Sequence, residues 1–500
     1  MNLLLTMTFL WFRILILATL YQCFYGDPNF VLVLTDDQDL LLNSMIAMEN
    51  TINLLGNNGK TFKNAFVNTP ICCPSRSTIL TGKFAHNTGV VNNSISGNCS
   101  SPMWQEKHEP NSVSAILKRN KNYVTFYSGK YMNGYGFAEA GGIEHVPEGY
   151  DWWIGLKGNS VYYNYTLSIN GTEYFSSDKY LTDTLAEYSI KFLEQRATDR
   201  PFFMTIAPPA AHAPFTPAKR HENKYAGTKA VRSPSFNHSG SDKHWLIRMP
   251  PEYLPDDVDI LDKVQQHRLE SLLAVDELVQ GVVSKLEMLD LLKDTYIIFT
   301  SDHGFHIGQF SQPWDKRQPY ETDIRVPFIV SGPKIPAKSS ETFPISAVDI
   351  VPTILDLANI DVPSYIDGIS FKKQLFAEPS DSFNKTILIE YWGEGDTRRI
   401  DPKCAWTDPN LTECIPDQWC KCQDSRNNTF TCMVELTESQ NFKFCRFNDE
   451  ENFLEAYNLT VDPFELKNVA NELNSGRKQH YLSIMENLQK CRGSECKKMM

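Results

Sequence analysis

The sequence predicts an α/β protein in which a mixed, largely parallel sheet is flanked by helices and followed by a smaller antiparallel sheet. Three observations support this fold class. Short apolar runs at residues 30–34 and 296–300 each stop at an acidic segment, as buried parallel strands do at their carboxyl ends. Residues 264–292 carry apolar side chains at helical spacing. After about residue 376, β-like runs are laced with cysteines.

Two more apolar runs, residues 202–207 and 328–330, complete the strands of the predicted main sheet. Strands that alternate with helices place helices on both faces of a sheet, and sites in such sheets lie at the carboxyl ends of the strands. Residues 213–260 are rich in Pro, Asn and Ser and are predicted to form a long surface excursion.

The second sheet is predicted from residues 386–392, 429–436 and 441–447, which look like short antiparallel strands stapled by disulfides. The composition changes near residues 375–383. The predicted division is therefore a signal peptide at 1–26, a catalytic domain at 27–380 and a C-terminal disulfide-rich α+β subdomain at 381–500.

The overall composition is that of a globular protein. The chain has 500 residues, of which 42% are hydrophobic and 22% charged, and this excludes wholesale disorder. The net charge of −12 disfavours a nucleic-acid partner. An anionic substrate would need a local cationic pocket in this acidic background.

Residues 1–26 indicate a secretory signal, because the apolar run is too short and too interrupted for a membrane span. We expect no stable membrane insertion after cleavage; an uncleaved anchor is the alternative. Glycosylation sequons support the secretory route. They begin at Asn92, Asn98, Asn164, Asn170, Asn237, Asn384, Asn410, Asn427 and Asn458.

The cysteine count sets Cys72 apart. Of 12 cysteines, Cys23 leaves with the signal, and if Cys72 is chemically converted the remaining ten can all pair. A thiol at Cys72 would leave an odd one. The connectivity is open, although Cys491 and Cys496 are close enough in sequence to close a local loop.

Cys72 begins the segment Cys-Cys-Pro-Ser-Arg, followed by an apolar pair and Thr-Gly. This segment resembles the signature of the type I sulfatases, and the resemblance covers nearly the whole mature chain. It implies an alkaline-phosphatase-like sulfatase fold. It also implies that the formylglycine-generating enzyme oxidises Cys72, and not Cys73, to formylglycine (3-oxoalanine).

The chemistry explains this residue choice. A hydrated aldehyde has two hydroxyls on one carbon: one attacks sulfur, and the other then expels sulfate, so that one hard step becomes two easier ones. The resemblance gives Arg76 the task of holding a formylglycine hydroxyl or a sulfate oxygen.

Two pairs of candidate ligands follow the strands predicted at residues 30–34 and 296–300. Asp36 and Asp37 match the family's first two metal ligands, and Asp302 and His303 match the second pair. With Cys72 they form the implied metal site. Oxygen ligands favour Ca²⁺ or Mg²⁺, and the resemblance favours one Ca²⁺ per chain. Asp39 lies beyond the matched pair and is left out.

Three other residues match family roles in sulfate binding and proton donation. Lys130 matches the lysine of a Gly-Lys motif, His212 a histidine that contacts the sulfate ester, and Lys316 a lysine near the bridging oxygen. An alkoxide leaves poorly without a proton, so such donors matter.

The chain departs from the family pattern at one position. Many relatives have a histidine two residues after the equivalent of Lys130, proposed as the base that breaks down the intermediate, and Met132 stands there. By proximity in the motifs, His86 and His306 are the substitutes to be tested.

Within the family, the segments around the motifs are similar to enzymes that remove 6-O-sulfate from N-acetylglucosamine residues of heparan and keratan sulfate. The resemblance therefore implies a sulfated glycosaminoglycan substrate and a lysosomal location, with secretion as the alternative. Candidate residues for capturing such a polyanion are Lys243, His244, Arg248 and Arg317, of which only Arg317 is preferred over ordinary surface charge.

Other functions remain as alternatives. An extracellular 6-O-endosulfatase-like enzyme is one, although the chain lacks the long basic insertion of those relatives. A glycan-binding pseudoenzyme and a disulfide-rich structural glycoprotein are others. A phosphatase or phosphodiesterase of the same superfamily would use Thr or Ser as nucleophile, so Cys72 argues against it.

Overall fold

The structure of the protein is a computed structural model that describes residues 26–377 and 383–500. The predicted signal segment up to residue 25, which includes Cys23, lies outside the described residues, as do residues 378–382 at the predicted domain boundary. Within the described residues, no helix combines the length and the apolar character of a membrane span.

The first fourteen strands belong to the larger part of the molecule. They are β1 Asn29–Thr35, β2 Gly59–Phe62, β3 Ala65–Phe66, β4 Val124–Lys130, β5 Trp152–Leu156, β6 Tyr165–Ile169, β7 Thr172–Ser176, β8 Phe202–Ala207, β9 Thr295–Ser301, β10 His306–Ile307, β11 Trp314–Asp315, β12 Phe328–Ser331, β13 Ser339–Glu341 and β14 Ile345–Ser346.

Ten of these strands form one sheet in the order β13-β2-β12-β9-β1-β8-β4-β5-β6-β7. The central run from β9 to β5 is parallel, whereas β12, β6 and β7 run antiparallel to their neighbours. The predicted mixed, largely parallel sheet is confirmed. The run at 328–330 is a strand, but it pairs antiparallel to β9.

Five of the six described helices of eight or more residues cover both faces of the ten-stranded sheet, and the last one packs on the C-terminal sheet. The six helices are α1 Cys72–Thr81, α2 Val113–Lys121, α3 Leu181–Gln195, α4 Asp259–Met288, α5 Ile350–Leu357 and α6 Ser475–Leu488. Shorter helical segments are Glu49–Thr51, Ala85–Thr88, Pro102–Lys107, Trp245–Arg248, Glu321–Ile324 and Lys372–Phe376.

Strand β1 shows why the sheet is buried on both sides. Its alternate side chains enter two apolar clusters: Phe30 and Leu32 pack with α1, α2 and α5, and Val31 and Val33 pack with α3 and α4. Near-continuous apolar sequence is what a central parallel strand with two covered faces requires. This arrangement fixes the carboxyl ends of β1, β8, β9 and β4 at one edge.

The C-terminal part contains the second sheet, with the strand order β15-β18-β19-β20 and antiparallel pairing throughout. Apolar residues of β15 and β18 join the same core cluster as α1 and α5, so the two parts pack through a common core. Its elements are β15 Asn384–Tyr391, β16 Leu411–Thr412, β17 Asp424–Ser425, β18 Phe430–Thr437, β19 Asn441–Phe447 and β20 Leu454–Asn458.

The excursion at residues 213–260 is irregular, as predicted, apart from short helical segments. It does not lie free on the surface. Buried Lys243 donates to the Glu465 carbonyl at 2.8 Å, and buried His244 lies 2.9 Å from the Asp449 carboxylate. These contacts attach the excursion to the C-terminal part.

Candidate active site

The two pairs of candidate ligands meet because β1 and β9 are parallel neighbours in register. Thr35 pairs with Ser301, so the residues that follow each strand lie side by side. The amide of Asp37 donates to the Asp302 carboxylate at 3.2 Å. Asp37 has a φ of 60°, a left-handed backbone conformation that an aspartate rarely adopts. It turns the carboxylates of Asp36 and Asp37 towards a common centre.

Cys72 is the first residue of α1, and its side chain is fully buried beside these carboxylates. Its Sγ lies 3.4 Å from Lys130 Nζ, 3.4 Å from His303 Nε2 and 3.8 Å from Asp36 Oδ1. Burial raises the pKa of the Cys72 thiol, but the positive charges of Lys130, Lys316 and His303 together outweigh burial and hold the pKa well below the ordinary value. We call Asp36, Asp37, Cys72, Asp302 and His303 the Cys72 cluster.

The cysteine pairing agrees with the count from the sequence. Five disulfides join Cys73–Cys99, Cys404–Cys420, Cys414–Cys422, Cys432–Cys445 and Cys491–Cys496. Among the described cysteines, Cys72 alone is free. The local loop of Cys491 and Cys496 is confirmed.

Three cations balance the Cys72 cluster. Lys130 Nζ lies 2.6 Å from Asp36 Oδ2, Lys316 Nζ lies 2.9 Å from Asp37 Oδ2, and Arg76 Nε lies 2.8 Å from Asp302 Oδ2. Burial opposes ionisation of Asp37, yet Lys316 and its other cationic neighbours keep the pKa of that carboxyl well below its usual range. The structure thus brings the sequence-predicted residues Arg76, Lys130 and Lys316 together around one centre.

His212 joins this centre from the loop after β8. One of its ring nitrogens lies within 4.8 Å of the ligand atoms of Asp36, Asp37 and Cys72. Its Nδ1 lies 2.6 Å from the Ala213 carbonyl oxygen, and a carbonyl requires Nδ1 to be the donor. This contact leaves Nε2 as the nitrogen that can exchange a proton with a ligand. His212 is partly exposed and lines the cavity above the Cys72 cluster.

The donor set fits a divalent cation. Oxygen and nitrogen atoms of Asp36, Asp302 and His303 converge with Cys72 within 4.8 Å of one another. Asp37 Oδ1 is buried and has no hydrogen-bond partner within the described part of the chain. A buried carboxylate oxygen without a donor is costly unless something binds it. A hard cation prefers such carboxylate oxygens.

A cavity of about 840 Å³ adjoins the Cys72 cluster, which contributes Asp37 to its lining. Both parts of the chain contribute to its walls. The catalytic part supplies, among others, Asn93, Phe137, His212, Trp314 and Lys316, and the C-terminal part supplies Arg398, Arg399, Glu413, Ile415, Gln418 and Gln423.

Both histidine substitutes for the missing base prove wrong. His86 Nδ1 contacts the Glu390 carboxylate at 2.9 Å and its Nε2 lies 3.1 Å from the Cys491 carbonyl. His306 Nδ1 lies 3.0 Å from Asp323, and its Nε2 faces Gln423 at 3.5 Å. The nitrogens of both rings are therefore engaged away from Cys72. Met132 is buried in the apolar core.

The four candidates for polyanion capture lie in different parts of the structure. Lys243 and His244 are buried and bind the C-terminal part, and partly exposed Arg248 pairs with Glu451 at 3.0 Å. Arg317 lines the cavity, where Glu394 and Glu413 lie 3.6 and 3.5 Å from its guanidinium. Of the four, only Arg317 is placed to meet a ligand.

Sequence reasoning missed the residues that support the aspartates. Ser160 donates to Asp36 Oδ2 at 2.6 Å from a loop that shows no motif. Asp39 is outside the Cys72 cluster, but its carboxylate holds Arg268 at 2.6 Å, and Arg268 donates to the Asp37 carbonyl at 2.9 Å. Only the position of Asp39 two residues after Asp37 pointed to such a role.

Comparison with known proteins defines the class of this site. The family model described as Sulfatase matches residues 28–360, so the chain belongs to the sulfatase family. It is an enzyme of the class that hydrolyses sulfate esters.

Within the family, the chain is similar to N-acetylglucosamine-6-sulfatases. It is 44% identical to that of Homo sapiens over 480 residues, which cover 94% of this chain and 86% of the relative. It is also 44% identical to that of Capra hircus, over 94% of this chain and 85% of the relative. An extracellular sulfatase homolog of Drosophila melanogaster is 36% identical over 74% of this chain and 33% of its own length.

Solved structures confirm the fold. One, in complex with its substrate D-glucosamine-2-N,6-O-disulfate, aligns with a TM-score of 0.73 at 22% identity, over 95% of this chain and 99% of its own. A phosphonate monoester hydrolase from Silicibacter pomeroyi aligns with a TM-score of 0.64 at 16% identity, over 92% of this chain and 94% of its own. The sulfatase fold predicted from the motif is the observed fold.

Proposed function

We propose that the enzyme removes 6-O-sulfate from N-acetylglucosamine residues at the ends of heparan or keratan sulfate chains. The substrate named for the 44% identical relatives supports this choice, as does the sulfated glucosamine bound by a protein of the same fold. The observation that carries the proposal is a fully buried Cys72, free among the described cysteines and held between carboxylates and cations beside a cavity that Asp37, His212 and Lys316 line.

Cys72 is proposed to act as formylglycine, whose hydrated aldehyde supplies a hydroxyl nucleophile and a second hydroxyl for the release of sulfate. Because the Cys72 side chain is fully buried, the formylglycine-generating enzyme must reach it before the chain folds. This timing fits a secretory route, and we propose the lysosome as the destination.

Asp36, Asp37, Asp302 and His303 are the proposed ligands of a Ca²⁺ ion beside residue 72. Bound there, the ion would supply positive charge that polarises the sulfate oxygens and makes a nearby hydroxyl more acidic. The unpartnered Asp37 Oδ1 supports this assignment.

The cationic side chains are proposed to hold the sulfate group. Arg76 is fixed by Asp302 and by the Lys130 carbonyl at 2.7 Å, which leaves its second terminal nitrogen without a hydrogen-bond partner. That nitrogen can donate to a sulfate oxygen. Lys130, 3.4 Å from Cys72 Sγ, is placed to stabilise negative charge that develops at residue 72.

His212 and Lys316 are proposed to serve the leaving alcohol. Both line the cavity, so both can reach the oxygen that joins sulfur to the sugar. With Nδ1 held by the Ala213 carbonyl, His212 can present a proton on Nε2 to that oxygen. Lys316 adds a second ammonium group at the same place.

The test begins with mass spectrometry of the peptide 64–83 from active enzyme. We expect the thiol of Cys72 to be replaced by an aldehyde, so that the peptide has lost the sulfur of this residue. An unmodified thiol or a disulfide at Cys72 would contradict the mechanism. Sulfate release from N-acetylglucosamine-6-sulfate is then compared with release from iduronate-2-sulfate and an aryl sulfate. We expect the first substrate to be preferred. Release from internal residues of intact heparan sulfate would favour the endosulfatase alternative, and no release from any substrate would favour the pseudoenzyme.

A further inference from the structure

Phe137 is an exposed aromatic ring in the wall of the cavity whose buried lining includes Asp37 and Lys316. It is 45% exposed, whereas Asp37 is fully buried and Lys316 is 6% exposed. Of the exposed large hydrophobic side chains within the described residues, Phe137 is the one that lines this cavity. The exposure of its ring places it nearer the opening than the Cys72 cluster.

The ring rests on glycines. A Cβ atom added to Gly158 would lie 3.4 Å from the Phe137 ring, and one added to Gly134 would lie 3.9 Å from it. The two glycines are tied together by a hydrogen bond of 3.2 Å from the Gly134 amide to the Gly158 carbonyl. With backbone beneath it, the ring keeps an open surface toward the cavity.

The backbone of Phe137 is also fixed. Its amide donates to the Gly134 carbonyl at 3.1 Å, and its carbonyl accepts from the amides of Ala140 and Gly142, each at 2.9 Å. Because the backbone is already fixed, a ligand that covers the ring orders only the two side-chain torsions of Phe137, which keeps the entropic cost of binding low.

The cavity has room for a ligand larger than one sugar. Ligand cavities span roughly 300–1,000 Å³, and those at the upper end hold drug-sized molecules. At about 840 Å³, this cavity exceeds the need of a single sulfated hexosamine. The sulfur of the substrate must reach residue 72, so the sulfated ring lies near His212 and Lys316. Phe137 then faces what is attached to that ring.

We infer that Phe137 is the platform of a second subsite, which binds the sugar linked through C1 of the sulfated N-acetylglucosamine. A pyranose ring has an apolar face of C–H groups, and this face packs well on an aromatic ring. The inference rests on the proposed function and deepens it: the substrate is a chain of at least two sugars, and part of the binding energy comes from the second.

The test compares a monosaccharide with a disaccharide. Initial rates of sulfate release are measured for N-acetylglucosamine-6-sulfate and for a disaccharide that carries it at the non-reducing end. We expect Phe137→Ala to lower kcat/KM for the disaccharide about three- to tenfold, mainly through KM. We expect the monosaccharide value to stay within about twofold, because Phe137 lies outside the first subsite.

Two further variants make the result specific. Phe464→Ala removes a ring of similar exposure, 42%, that is not part of the cavity, and should change neither value. Phe137→Trp keeps an aromatic face and should restore most of the preference for the disaccharide. Thermal unfolding of each variant shows whether it is folded.

The outcomes separate the subsite from the proposed function. Equal losses on both substrates, or no loss on the disaccharide, would overturn the subsite while leaving the sulfatase assignment intact. If the wild-type enzyme releases sulfate from neither substrate, the proposed function fails and the subsite fails with it.

Discussion

Two buried groups of charged side chains in this molecule have similar compositions, but their cations and carboxylates are not paired equally closely. The Cys72 cluster joins aspartates to Arg76, Lys130 and Lys316. The second group, which we call the Lys443 cluster, consists of Lys443 with Glu321 and Glu465. Lys443 Nζ lies 2.8 Å from Glu321, 2.7 Å from Glu465 and 2.8 Å from the Pro319 carbonyl that it donates to. Its three protons are all used.

The Cys72 cluster, in contrast, includes polar atoms that could still bind a ligand. Among the described residues, Asp37 Oδ1 and one terminal nitrogen of the adjoining Arg76 have no hydrogen-bond partner. Each has only a longer ion contact, 3.5 Å to His303 Nε2 and 3.7 Å to Asp36 Oδ1, and Asp37 lines the cavity. The backbone differs too, because Asp37 is left-handed whereas Lys443 pairs regularly in β19. Glu321 Oε1 also has no geometrically good hydrogen bond among the described residues, but it lies 2.8 Å from Lys443 Nζ. Closely paired charges hold parts of a fold together, whereas loosely paired charges beside a cavity can accept a ligand.

The largest expected effect is the loss of activity in Cys72→Ala. We expect kcat/KM to fall by more than about 10⁴-fold, because no nucleophile remains, with little change in the free energy of unfolding. The control is Cys491→Ala with Cys496→Ala, which removes a disulfide far from the cavity. It should lower stability, by about 2 kcal/mol for a short loop, and leave kcat unchanged. Substantial activity in Cys72→Ala would contradict the site.

The Lys443 cluster should respond in the opposite way. Lys443→Met leaves Glu321 and Glu465 buried without a cation, so we expect the free energy of unfolding to fall by about 3–5 kcal/mol. The folded fraction should keep the wild-type kcat. Chemical denaturation and activity are measured on the same samples. The triple change Lys443→Met, Glu321→Gln and Glu465→Gln should recover part of the lost stability. A triple variant with a lower free energy of unfolding than Lys443→Met would refute the charge argument.

A divalent cation should stabilise the protein through the Cys72 cluster alone. Ca²⁺ at about 100 times its Kd should raise the free energy of unfolding by about 2.7 kcal/mol, and chelation should remove both this gain and the activity. Asp302→Asn should abolish the response, whereas Lys443→Met should keep it. Thermal unfolding with and without Ca²⁺ is the measurement. A response that survives in Asp302→Asn would place the ion elsewhere.

A pH-dependent effect is expected at Asp424, a buried carboxyl beside Arg317. Burial raises its pKa from 3.8 to about 7, even though Arg317 opposes the shift. Because the folded state binds the proton of Asp424 more tightly than the unfolded state, protonation contributes to the free energy of unfolding at pH values below 3.8. This contribution is lost as the pH rises to about 7. The wild type should therefore lose stability relative to Asp424→Asn across this range. Denaturation curves at several pH values test the trend, and a constant difference would show that Asp424 does not carry it.

Much of the chemistry of the site was predicted from sequence because the Cys72 segment resembles the type I sulfatase signature, and because the residues that match the family's metal ligands follow strand ends. Asp36 and Asp302 come directly after apolar runs, and parallel pairing of β1 and β9 brings them together. A count of the cysteines predicted that ten of them form disulfides and that Cys72 does not, although it left open which cysteines pair with each other. These signals are local or countable, so no knowledge of tertiary contacts was needed.

The walls of the cavity could not be predicted in this way. Ser160, Phe137 and Arg398 lie in loops without periodicity, and their positions depend on how distant segments pack. The same limit explains the errors. Lys243 and His244 looked like surface charge but are buried by the C-terminal part, and the contacts of His86 and His306 with Glu390 and Asp323 depend on tertiary packing. The division at residue 380 stays a prediction.

The shared cavity wall has a consequence for biosynthesis. Arg398, Glu413 and Gln423 complete a pocket whose reactive residue was translated more than three hundred residues earlier. A ribosome-bound chain can hold every member of the Cys72 cluster and still have no pocket to recognise a sugar. A premature stop shortly after residue 377 would therefore leave every member of the Cys72 cluster encoded but remove about a quarter of the chain, and with it these residues of the cavity wall and the strands of the second sheet.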